Sequence, residues 1–227
     1  LTVLYAFYTR LTEYLTAALS IISKTGREEK TMRNVGIYLF NNVELLDFAG
    51  PYEVFSVTSE LNNYEIFRVF TVTEDGGPVK SVNGLKIIPD CSIKDHPQID
   101  ILIIPGGDGT KAVINNSVVL DWIRKVYEKT EIMMSVCSGA RIPGVLGLID
   151  NLESTTHHEV FGDLRRIAPL TIINEEKRFI DNGRIMTSGG ISAGIDLSLH
   201  IVKKLCGKSI ADKTIRYMEY GDWKNSK

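Results

Sequence analysis

One cysteine of this chain stands where it could act as a nucleophile. In residues 131–144, EIMMSVCSGARIPG, an apolar run through Ile132, Met133, Met134 and Val136 stops at Cys137 and passes through Ser138, Gly139 and Ala140 into a helix-like stretch. That is the layout of a nucleophile elbow, a tight strand-to-helix turn whose residues two before and two after the reactive side chain must be small. Ser135 and Gly139 meet that requirement. A helix beginning just after Cys137 aims its free N–H groups and positive dipole end at the sulfur. This predicts a depressed pKa for Cys137, alone among the three cysteines. The competing reading is a buried packing cysteine at a strand end, since free cysteine is among the most buried residue types. The small flanking residues favour function.

Three further places could supply partners. Asp47, in ELLDFAGP, falls between an apolar run at 35–40 and a helical pattern continued by Phe48, Tyr52, Val54, Phe55 and Val57. An aspartate there suits a helix cap, and it also lies at the carboxyl end of a strand, where open α/β sheets bind ligands. The two roles are compatible. Gly106, Gly107 and Gly109 follow the apolar run DILIIP and make a turn with exposed amides, without the lysine of a P-loop or the G-x-G-x-x-G of a dinucleotide fold. Adjacent His157 and His158 invite a metal reading, but neighbours in sequence do not share a face and no H-E-x-x-H or cysteine partner accompanies them. Either histidine could serve Cys137 as base or hydrogen-bond partner. His96 and His200 read as ordinary loop and helix residues.

The elements that must hold these groups follow from periodicity. Runs 35–40, 66–73, 100–105 and 132–136 are apolar almost throughout, as expected of parallel strands covered on both faces. Between them lie a helix after Asp47, with Pro51 placed in its first turn, and an amphipathic helix at 112–128 through Val119, Trp122, Ile123, Val126 and Tyr127. Asn83-Gly84 between β-prone runs marks a hairpin. Beyond the elbow, Thr155, Thr156 and His157 read as a short strand, 171–173 and 178–180 as β-runs, and 184–187 as a last strand ending in SGGISAGID. A helix through Ile195, Leu199, Val202 and Cys206 follows, and Ser209 with Asp212 resembles a capping box for a final helix. The fold class is therefore α/β, a three-layer sandwich on a mostly parallel sheet with a nucleophile elbow and an antiparallel hairpin addition.

Bulk properties narrow the function. With 227 residues, 44% hydrophobic content and a net charge of −2 from 26 basic and 28 acidic residues, one domain fits best and no footprint for nucleic acid or an anionic membrane appears. A small-molecule substrate is favoured. Cys91, Cys137 and Cys206 form an odd, widely spaced set without C-x-x-C, which points to a reducing, cytoplasmic setting rather than to disulfides or zinc. Residues 1–32 read as an N-terminal extension, either an amphipathic helix or disordered. Arg10 and Glu13 make it a poor membrane span. The functional domain is expected at 33–227.

Taken in order, LLDFAGP, IPGGDG, SVCSGA, STTHH and SGGISAGID resemble the ThiJ/PfpI superfamily, built on the class I glutamine amidotransferase-like fold, with isocyanide hydratase and the amidase-like halves of AraC-type regulators as its nearest branches. The resemblance implies Cys137 as nucleophile, Asp47 as its carboxylate partner where many relatives carry glutamate, and Gly107 and Ser138 as backbone donors toward developing negative charge. His157 takes a supporting role. Ser138 departs from the threonine usual in the hydratases. The implied reaction adds water to an isocyanide to give an N-substituted formamide, with no metal or organic cofactor, in a homodimer. Glyoxal-directed or oxidant-responsive stress chemistry and a standalone sensor without the DNA-binding helices are the rival readings.

Overall fold

The computed structural model describes residues 32–225. The expected N-terminal extension lies outside the described residues but for Met32. Strand β1 (Arg33–Tyr38) leads into helix α1 (Leu45–Glu60), and β2 (Phe67–Thr73) follows. The short strands β3 (Val79–Lys80) and β4 (Lys86–Ile87) come next, then β5 (Cys91–Ser92) and β6 (Ile101–Ile104). Helices α2 (Thr110–Val113) and α3 (Ser117–Lys129) precede β7 (Ile132–Val136). A 3-10 turn, Cys137–Ala140, opens α4 (Arg141–Val145). The chain continues through β8 (Glu153–Ser154), α5 (Phe161–Ile167), β9 (Ile172–Ile173), β10 (Phe179–Asp181) and β11 (Ile185–Ser188). Helices α6 (Ala193–Cys206) and α7 (Lys208–Tyr217) close it.

Seven strands form one sheet in the order β10-β11-β7-β6-β1-β2-β5. Every pairing is parallel except that of β10 with β11. Successive residues of a strand point to opposite faces, and every residue of β6 and β7 is buried, so helices cover the centre of the sheet on both sides. Helix α3 is amphipathic as its spacing predicts: Val119, Trp122 and Ile123 are buried, and the Trp122 ring lies 5.4 Å from that of Tyr38 in β1. No helix among the described residues is long and apolar enough to cross a membrane.

Several local expectations change. Asp47 is not the cap of α1; Glu44 holds that position without a side-chain bond, and Asp47 turns inward from the first turn, fully buried. Pro51 lies inside the helix rather than in its first turn, with its ring beside Gly194 of α6. The helix expected at 112–128 is broken into α2 and α3, because Asn116 accepts the Val119 N–H and restarts it. The hairpin exists at Asn83-Gly84, but β3 and β4 form their own antiparallel sheet, bridged to the β1–α1 loop at Val43 and Ser81. Thr155–His157 is not strand: β8 is Glu153–Ser154, paired with β9, and the threonines that follow tether the site instead. No capping box opens α7, which starts at Lys208 after Gly207 in a left-handed conformation; Asp212 pairs with Lys208 along the helix.

Candidate functional site

The elbow is set by the end of β7. Cys137 has φ 56, a left-handed conformation costly for a residue with a Cβ, and is buried at the sheet's carboxyl edge. Gly139 lets the chain turn there: a Cβ at this position would lie 2.3 Å from the Ile104 carbonyl oxygen and 2.9 Å from that of Pro105. The turn is bolted from the neighbouring segments. Cys137 N–H donates to Gly189 O at 3.1 Å, and the Thr156 hydroxyl donates to Cys137 O at 2.6 Å. Thr155 N–H and Ser154 Oγ in turn bond the Thr187 hydroxyl of β11.

Asp47 comes to the sulfur from α1. Its Oδ2 accepts the Gly106 N–H at 2.9 Å, while Oδ1 is buried without a hydrogen bond of good geometry, and the Cys137 thiol is the side chain that interacts with this carboxyl. Gly106 makes the approach possible, since a Cβ there would fall 2.7 Å from both Asp47 Oδ2 and Ser138 N. Burial, with a smaller push from Glu44, lifts the Asp47 carboxyl to about 7 against the Gly106 N–H and the thiol. For Cys137, burial and then the Asp47 charge push the thiol up to about 12, opposed by the N–H groups of Ser138 and Ile191. The expected depressed thiol is therefore not what the resting site holds. Desolvation and a like charge outweigh the two N–H groups.

The other expected residues fall into distinct roles. Gly107 N–H donates to Ser138 Oγ at 2.9 Å, so this amide is occupied in the resting site, whereas Ser138 directs its own N–H at the sulfur. The rings of His157 and His158 lie 4.3 Å apart but line different pockets. His157 is half-buried, lines the pocket over Cys137 and caps the next turn by accepting the Glu159 N–H on Nδ1 at 3.3 Å; His158 is exposed and turned to a different pocket. His96 accepts the Trp122 indole N–H at 2.9 Å, and His200 pairs with Asp181.

Two contributors escaped the sequence. Ile191 has φ 45 in the loop after β11, and that strained conformation turns its N–H toward Cys137. Only SGGI hinted at it, because a backbone donor leaves no mark on residue type. Arg141 is the second. Read by position it is one helical residue among others, yet it is buried, donating from Nε to Asp163 at 2.5 Å and from Nη1 to Thr110 Oγ1 at 2.9 Å. Cys137, Ser138, His157, Ile191 and Arg141 share a pocket of about 350 Å³, with Glu44, Asp108 and Lys111 among its other walls. Such a volume suits a small molecule. A buried thiol beside a carboxyl that titrates near neutrality can add to an electrophilic carbon and move the proton in the same step.

Comparison with known proteins agrees with this architecture. The DJ-1/PfpI family model matches residues 33–204. The isonitrile hydratase of Pseudomonas putida is 32% identical over 186 residues, covering 82% of this chain and 78% of that protein. The HTH-type transcriptional regulator GbdR of Pseudomonas aeruginosa is 24% identical over 184 residues, which take in 81% of this chain but only 50% of the regulator. Among solved structures, a THiJ/PfpI family protein from Pseudomonas syringae superposes with a TM-score of 0.75 at 24% identity, over 87% of this chain and 79% of that one.

Proposed function

Because the chain belongs to the DJ-1/PfpI family, we propose that it is a cysteine-dependent hydratase that adds water to an isocyanide and releases an N-substituted formamide. The observation that carries this reading is the buried Cys137–Asp47 pair, in which the carboxyl is lifted to about 7, the range where one group can both take and give a proton. The 32% identity with an isonitrile hydratase supports the substrate class.

The steps follow from the pair. Asp47 takes the thiol proton as Sγ attacks the terminal carbon of R–NC, and returns it to that carbon, leaving a thioimidate, R–N=CH–S–Cys137. Starting from a protonated thiol removes any need for a resident thiolate. Water then adds to the same carbon: Asp47 accepts a proton from it, the nitrogen gains one, and the C–S bond breaks as the carbonyl forms. The products are R–NH–CHO and the thiol. N–H groups of Ser138 and Ile191 hold negative charge on the sulfur whenever it develops. The loop amide of Gly107 would join them only if Ser138 Oγ released it. We also propose a homodimer in a cytoplasmic setting, which sedimentation and fractionation would test.

The direct test is a panel of alkyl isocyanides and methylglyoxal, with formamide and lactate measured by chromatography. Formamide production that vanishes in Cys137→Ser is the expected result. Turnover of methylglyoxal alone would replace the hydratase reading with glyoxal chemistry, and turnover of neither would favour a sensor.

A further inference from the structure

Arg141 is an odd residue to bury beside a nucleophile. It is 6% exposed, yet it opens a short helix four residues beyond Cys137 and lines the same pocket. Two of its nitrogens are spent on the protein: Nε on Asp163 and Nη1 on the Thr110 hydroxyl, which itself donates to Gly107 O at 2.8 Å. Among the described residues the remaining amino group, Nη2, makes no hydrogen bond, and the pocket that Arg141 lines is the one over Cys137. A guanidinium's planar fork is built for a carboxylate, and a desolvated one binds it far more strongly than a surface lysine does.

The charge balance leaves room for an anion. Asp163 is shared between Arg141 and Arg166, so the trio retains one positive charge. Lys111 stands at the rim, paired with Asp108, and both of these side chains are largely exposed and therefore screened. Glu44 and Asp47 oppose a second anion nearby, and Asp47 does so less whenever it carries the proton. We propose that Arg141 makes this an anion-selecting pocket: the substrate is a small electrophile that carries a carboxylate close to the reacting carbon, and for the hydratase reaction this is an isocyanide bearing a carboxylate. The proposal rests on Cys137 as the nucleophile of that reaction, but not on the reaction itself.

Two alkylating probes separate the alternatives. Iodoacetate and iodoacetamide react alike: the sulfur forms a C–S bond, iodide leaves with the C–I electrons, and the thiol proton passes to Asp47 or solvent. They differ in charge. Rates at Cys137, read by mass spectrometry of the peptide that contains it, are compared with those of glutathione in the same buffer. A charge-assisted bond to a carboxylate is worth enough to raise the iodoacetate-to-iodoacetamide ratio about tenfold or more above that of glutathione. Arg141→Gln should return the ratio to the glutathione value, and Arg141→Lys should fall between. A wild-type ratio no higher than that of glutathione overturns the proposal without any variant. So does an Arg141→Gln protein in which both rates fall together and the ratio stays, for then Arg141 only braces the Gly107 turn through Thr110. Loss of isocyanide turnover with the raised ratio intact would sink the hydratase reading and leave the anion pocket standing.

Discussion

Two turns meet at this site, and they are built differently. Strands β7 and β11 are parallel neighbours that pair Val136 with Ser188, and each runs into a turn with a non-glycine residue in the left-handed region, Cys137 at φ 56 and Ile191 at φ 45. The first turn is buried throughout, with no room for a Cβ at Gly139. The second is partly open to solvent: Gly189 and Gly190 are half-buried and Ile191 is 37% exposed. The candidate nucleophile sits on the packed turn, and the looser turn lends backbone alone, the Gly189 carbonyl to the Cys137 N–H and the Ile191 N–H to the sulfur. Covalent attack needs a nucleophile held in one geometry, whereas a donor for transient charge tolerates more play.

Substitutions sharpen that contrast. Cys137→Ser, on the packed turn, should cost the most, about a thousandfold or more in isocyanide turnover, because removing a nucleophile removes the covalent route. Steady-state rates, with intact circular dichroism, check it.

Asp47→Asn should lose on the order of a hundredfold, the usual worth of a general acid–base group. It also makes a stability prediction with a sign. Burial raises the folded carboxyl to about 7, above the ~3.9 of an unfolded chain, so the stability from this site is full below pH 4 and is lost as pH rises toward 7. Asparagine does not titrate. The variant should therefore gain on the wild type between pH 4 and 7 and hold an advantage of roughly 2–4 kcal/mol above that range, measured by urea unfolding at pH 4.5 and 8. A gap that does not change with pH would remove the buried charge from the account.

On the looser turn the effects should be smaller. A Cβ on Gly190 would lie 2.3 Å from His157 Cδ2, so Gly190→Ala must displace either the ring or the loop that carries the Ile191 N–H. Misplacing one donor should lower turnover about tenfold at a cost of about 1–3 kcal/mol in stability. An equal loss from this variant and from Cys137→Ser would erase the distinction between the turns. Ile191→Gly should do least: it relieves a β-branched residue at positive φ, and the unfolding free energy should rise by roughly 1 kcal/mol or less, read from denaturant midpoints.

Much of this was legible in the residues. The apolar runs that became β1, β2, β6 and β7 announced a parallel sheet, and Ser135 and Gly139 announced the elbow, because covered strands and tight turns each demand particular residue types. Element ends were read less well. Asp47 looked like a cap because aspartate caps well in general, and only the approach of Gly106 shows why its carboxyl turns inward. The pair His157 and His158 offered no choice until the chain after β8 was placed and set one ring in the pocket over Cys137 and the other, exposed, in a different pocket.

By itself, the sequence determined the fold class, the candidate nucleophile and the short set of places where its partners could lie, since these follow from local periodicity and from which residues can occupy a strained turn. The tertiary structure decided the electrostatics. Whether Cys137 rests as thiol or thiolate depends on how far burial and the Asp47 charge outweigh the N–H groups of Ser138 and Ile191, and Asp47 and Ile191 come from segments far from Cys137 in the chain. The same holds for Arg141, whose burial against Asp163 and Thr110 gives a pocket-lining charge that no spacing rule could assign. Desolvation and Coulomb interaction depend on distance in space, and a linear sequence does not contain that distance.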